Sequence, residues 1–300
     1  MNVKAGNRTW EELSCPETLR RTAALSALAL AVTVAFWRPF SDLLILAQTA
    51  DAYTHILLIL PLSLAMLITS RRAVFQKTKW ALTPALAMGT AGALLEIGSQ
   101  ISTSHHLGVS IAAMVLFWQA AFVLCLGTQA FRAGRFPMFF LFLLVPPAPS
   151  LVNAMVSVLQ RGSAEVAYRL LQIAAIPVGR DGLVLFLPGL NIEVAAECSS
   201  IRSSALLFVT SLVITHTFLR CTWKKMLVGI LVLPIAMLKN GIRIFALSAL
   251  AVYADPAILS SWVHHSGGFL FFLLGVAMVA FVIWMLAPPS RTRAICSSAV

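Results

Sequence analysis

Long apolar runs alternate with short polar segments along the whole of this chain. Charges are scarce inside the runs and gather between them. Runs of roughly 17–25 residues are long enough for a helix to cross a bilayer core. They lie near 22–39, 53–70, 81–99, 106–127, 136–153, 200–219, 226–250 and 267–287. The pattern predicts an all-α polytopic membrane protein with about eight transmembrane helices. Pro146, Pro147 and Pro149 are expected to break or end the fifth span, because proline lacks an amide hydrogen and crowds the preceding turn.

Polar tails are expected at 1–21 and 288–300, flanking a single membrane-embedded domain over 22–287. No cleavable leader is read before the first run. The one long segment between spans is 154–197. It begins with Val156, Leu159, Val166, Leu170, Leu171 and Ile173 at helical spacing, and it carries Arg161, Glu165 and Arg169. That amphipathic pattern predicts a short helix lying along a membrane surface. Pro177-Val178-Gly179-Arg180-Asp181-Gly182 then reads as a turn. It leads into a small extended hairpin, Leu183–Leu187 with Asn191–Val194, before the sixth helix.

Composition agrees with the pattern. Of 300 residues, 59% are hydrophobic and 11% charged, against about 25% charged in a soluble domain. The net charge of +11 does not indicate nucleic acid, because the basic residues form short clusters between apolar runs, as membrane topology signals do. These clusters are Lys4, Arg8, Arg20 and Arg21; Arg71, Arg72, Lys77 and Lys79; Arg132 and Arg135; Arg220, Lys224 and Lys225; and Arg291 and Arg293. With eight spans, every cluster falls on one side, so both termini are expected to be cytoplasmic. The five cysteines show no paired or metal-ligand spacing and argue against a disulfide framework.

Three groups that carry chemistry then fall at one depth. Cys198 stands just before the sixth span, and His264 and His265 just before the eighth. Arg243 lies about seventeen residues into the seventh span, roughly 26 Å along a helix. A thiolate is a nucleophile, an imidazole moves protons, and a guanidinium steadies negative charge. Residue types alone leave plainer readings open. A cysteine at a helix end is usually inert, an arginine there can snorkel to headgroups, and Glu197 and Arg202 can pair or stay solvated.

The chain resembles the exosortase/archaeosortase family of membrane cysteine transpeptidases. Four patches between about residue 50 and 285 carry the likeness: Asp51-Ala52-Tyr53-Thr54-His55, with Arg71-Arg72 after it; Phe136-Pro137 through Val145-Pro146-Pro147, with the later Ile176-Pro177-Val178 and Leu187-Pro188-Gly189; Val194-Ala195-Ala196-Glu197-Cys198-Ser199-Ser200-Ile201-Arg202-Ser203; and Asn240-Gly241-Ile242-Arg243-Ile244 with His264 and Gly268. Ser200, Thr54, Ile56 and His265 depart from residues common in the family.

The resemblance implies Cys198 as nucleophile, Arg243 as catalytic arginine and His264 as third member, with His265 the alternative. Glu197, Arg202 and Asn240 are supporting candidates. It implies no cofactor and no metal. Its implied partners are membrane-anchored proteins ending in a sorting signal: a motif such as Pro-Glu-Pro, a transmembrane helix and a basic tail. The implied location is the bacterial inner membrane, with the active site at the outer face. The rival readings are a non-enzymatic component of exopolysaccharide assembly or export, and a small-solute transporter.

Overall fold

Helix accounts for most of the computed structural model, which describes residues 16–75, 78–101, 106–194, 201–253 and 268–287. The chain forms two compact units, Met1–Ala148 and Pro149–Val300.

The first unit contains α1 (Pro16–Ala35), α2 (Trp37–Thr49), a 3₁₀ turn (Asp51–Tyr53), α3 (Ile56–Thr69) and α4 (Arg71–Phe75). These are followed by α5 (Leu82–Ile101), α6 (His106–Ala133), α7 (Arg135–Phe140) and a second 3₁₀ turn (Leu141–Leu144). The axis is α6, 28 residues long. Ile111, Met114, Val115 and Leu126 on it are completely buried, as expected of a helix that is apolar on all sides. Around it pack α1, α4 and α5.

One residue interrupts α6. Gly127 has φ +89° and ψ 172°, a conformation reserved for glycine. The interruption frees carbonyls that the helix would otherwise use. Lys79 N–H donates to Leu126 O at 3.2 Å and Ala81 N–H to Leu124 O at 3.3 Å. A buried carbonyl left without a donor is costly, so the segment at 79–81 completes the helix it lies against.

The expected proline break is present, with one correction. The second 3₁₀ turn ends in extended backbone at Val145, but Pro149 opens the next helix instead of closing the last one. Proline suits a first helical turn because the N–H it lacks would have no partner there. Side chains serve the carbonyls along this segment. Ser63 Oγ donates to Pro137 O at 2.9 Å, Gln119 Nε2 to Met138 O at 3.0 Å and Tyr53 Oη to Pro147 O at 3.2 Å. The Tyr53 and Pro147 patches, distant in sequence, therefore meet.

The second unit contains α8 (Pro149–Ile173), β1 (Gly179–Asp181), β2 (Val184–Leu187), β3 (Leu190–Glu193), α9 (Ile201–Phe218), α10 (Thr222–Tyr253) and α11 (Gly268–Leu286). The expected hairpin is a three-stranded antiparallel sheet in the order β1-β2-β3. Arg180 pairs with Leu185, and Val184 with Glu193. The residues expected to form only a turn supply β1. Three residues are too few for periodicity to reveal a strand. Leu185 and Leu187 pack with Ala164, Ala167 and Leu171 of α8 and Ile244 of α10.

Helix α8 contains the expected amphipathic segment but is longer, at 25 residues. Its apolar stripe is closed over by α10 and the sheet. Glycines set that contact. A Cβ on Gly241 would lie 2.5 Å from Val166 Cβ and 3.1 Å from Ser163 O, and one on Gly162 would meet Met237. Since 162 faces 237 and 166 faces 241, the two helices run in the same sense where they touch.

A second core fills the junction of α9, α10 and α11 with Leu207, Val228, Val232, Ile235, Val279 and Ile283. Lys224 Nζ donates to Leu286 O at 2.6 Å, and a cation there suits the exposed carbonyls of a helix C-terminus.

Among the described residues, six helices are long and apolar enough to cross a membrane, or up to seven if one bent pair counts as a span. The all-α polytopic class therefore holds, while the count of eight is not reproduced. The bent pair, Arg135–Leu144 with Pro149–Ile173, covers the residues of the expected fifth span. The remaining expected span forms as α5, whose 20 residues include Thr90, Glu96, Ser99 and three glycines and are not among those six. A further correction concerns the cysteines: Cys221 is disulfide-bonded, which spacing alone could not reveal.

Candidate active site

The residues singled out from sequence all belong to the second unit. Cys198, Glu197, His264 and His265 lie outside the described residues, whereas Arg202, Asn240 and Arg243 lie within them. The chain leaves the sheet at Val194, where its course is fixed. Val194 N–H donates to Leu183 O at 3.0 Å, its carbonyl accepts from Gln160 Nε2 at 2.9 Å, and its side chain is buried. The next described residue, Ile201, opens α9. Cys198 thus stands three positions before a helix start.

Arg202 is exposed in the first turn of α9. On α10, Asn240 is buried and Arg243 half-buried. None of the three is without a partner. Asn240 precedes Gly241, whose missing side chain lets α8 approach. This part of α10 is therefore held by α8 on one side and by α9 and α11 on the other.

The residue that joins these elements is one that spacing did not single out. Lys239 is only 1% exposed and is the largest fully buried side chain among the described residues. Its stem passes Gly275 of α11, where a Cβ would lie 3.0 Å from Lys239 Cδ and 3.2 Å from a Leu207 methyl. Its ammonium donates to Ser203 Oγ, in the first turn of α9. The contact sets the 239–243 turn of α10 level with the start of the helix that follows Cys198. Gly275 is seven residues into α11, so the start of α11 stands roughly 10 Å beyond Lys239 along that helix. Arg243 lies one turn along α10 from Lys239, near enough for the two charges to interact. The signal that would have found Lys239 is an ionisable residue inside an apolar run, a functional hypothesis by default.

Further along α8, Glu165 binds Arg169 at 2.7 Å and also pairs with Arg180 of β1. This network ties the sheet to the helix. Among the described residues, no three His, Cys, Asp or Glu side chains are grouped to hold a metal ion.

Several apolar helices long enough to cross a bilayer, with a small sheet and a lysine buried between them, define a polytopic membrane protein. Over residues 37–281 the chain matches the family model described as Transmembrane exosortase (Exosortase_EpsH), and it belongs to that family. No curated protein and no solved structure matches it.

Proposed function

We propose that this transmembrane exosortase is a cysteine peptidase or transpeptidase that processes membrane-anchored proteins at a C-terminal sorting signal. Cys198 Sγ, as thiolate, adds to a backbone carbonyl beside the signal's transmembrane helix. Arg243 steadies the negative charge on oxygen. Collapse expels the amine, which takes a proton from His264, and leaves a thioester on Cys198. His264 then accepts a proton from an acceptor amine or water, which resolves the thioester. Glu197, Arg202 and Asn240 support these groups. The site faces the outer side of a bacterial inner membrane, and the basic clusters face the cytoplasm.

The observation that carries this reading is the contact of Lys239 with Ser203. It brings the Arg243 turn level with the first turn of α9, and the family match covers all the residues involved. The test is Cys198→Ala in a strain producing a protein with a short motif, one apolar span and an Arg-rich tail. Accumulation of the unprocessed tailed protein on a blot is expected. Normal processing would sink the nucleophile assignment. Separate Ala variants of His264 and His265 should lose processing at the first only; loss at the second alone would exchange their roles.

A further inference from the structure

Lys239 has a role still to be assigned. An ammonium has three N–H donors and no acceptor. Among the described residues one donor is used, on Ser203 Oγ. The side chain is 1% exposed, and no carboxylate among the described ion pairs is bound to it. Those pairs are Glu17 with Arg21 and Glu165 with Arg169 and Arg180. Arg243, on the same helix, adds positive charge nearby. Below Lys239 the α9–α10–α11 junction is apolar, with Leu207, Val232, Ala236 and Val279. An apolar residue of similar length would fill the same slot beside Gly275 without a buried charge to compensate. Ser203, which the ammonium meets, is half-buried where Lys239 is enclosed.

The geometry points to Lys239 as a further catalytic residue, one whose free N–H groups take the carbonyl oxygen of the substrate's scissile acyl group. This rests on the reading of Cys198 as nucleophile. As Sγ adds to the carbonyl carbon, the C–S bond forms and the C=O π pair moves to oxygen. That oxyanion accepts N–H bonds from Lys239 beside the Arg243 charge, and Nζ gives up no proton. Collapse reforms C=O and breaks the C–N bond, and the amine leaves with the proton from His264. Ser203, bound to the same ammonium, positions it.

The test separates attack at a carbonyl from attack elsewhere. Purified full-length protein is treated with p-nitrophenyl acetate, whose acylation passes through an oxyanion, and separately with iodoacetamide, which alkylates a thiolate by displacing iodide at a saturated carbon and forms no oxyanion. The Cys198 adduct is followed by mass spectrometry of its peptide. Lys239→Met is expected to slow acylation by roughly 10²–10³-fold, the loss typical for one oxyanion donor, while alkylation by iodoacetamide is largely retained. Lys239→Arg should recover part of the acylation rate. Equal acylation in wild type and Lys239→Met would overturn the inference alone. Parallel loss of both reactions in Lys239→Met and in a second variant, Lys239→Gln, would reduce the residue to a structural one. A wild type with no Cys198 adduct from the ester would overturn the nucleophile reading, and this inference with it.

Discussion

Gly127 illustrates what one residue decides in this fold. Its backbone conformation is open only to glycine, and a Cβ there would stand 2.5 Å from Lys79 O. Gly127→Ala must therefore shift the segment that supplies N–H donors to Leu124 and Leu126. The expected loss is at least roughly 2 kcal/mol, read as a lower melting midpoint of the purified protein in detergent. An unchanged midpoint would mean that the 79–81 contacts contribute little. The sequence conceals the conformation of Gly127 and the burial of Lys239 for different reasons. A glycine inside an apolar run gives no hint of its φ. Lys239 is visible as a charge within an apolar run, four residues before Arg243. Its burial depends on Gly275 and Leu207, both distant in sequence, so no local pattern reports it.

Among the elements, the contact of α8 with α10 is the most exacting. Gly241→Ala would force its new methyl into Val166. Overpacking of this kind costs about 1–3 kcal/mol. The melting midpoint should fall in Gly241→Ala and recover in part in the double variant with Val166→Gly, because that change removes both Val166 Cγ1 and the Cβ that lies 2.5 Å from the added one. Failure of the second change to rescue the first would point to the Ser163 carbonyl, at 3.1 Å from the added Cβ, as the true obstacle. At this scale the sequence was legible where periodicity runs long. The apolar runs became helices, and the amphipathic stretch became the longer, C-terminal part of α8. It misled where the signal is one residue deep: Pro149 begins a helix by the same lack of an N–H that was expected to stop one. Strand β1 lies in what looked like a turn because Gly179 opens it and Gly182 follows it.

The number of crossings is a property of the whole molecule. Composition made the membrane class plain, but α5 mixes Glu96 and several small polar residues into its span, so the count blurs there. Parity offers a sharper test than the count. An even number of crossings returns the chain to the side it left, the result that the positive-inside rule predicts from the clusters at Lys4–Arg21 and Arg291–Arg293. Reporters that work only in the cytoplasm should be active at both clusters. Activity at one alone would require an odd number, as seven spans would. The order of the candidate site, cysteine then arginine then histidine, was likewise legible in the chain. The contact that levels α9 with α10 was not, because only packing across helices creates it.

The slot at Gly275 reaches beyond this one chain. It exists because α11 has no side chain where the Lys239 stem passes, so the two positions share a single volume although thirty-six residues separate them. They should therefore change together over descent. A lineage that gains bulk at the glycine position would be expected to shorten the lysine, and with it to lose the ammonium at Ser203. Related chains that keep the glycine while varying freely at the lysine would show that the slot is inherited for some other occupant.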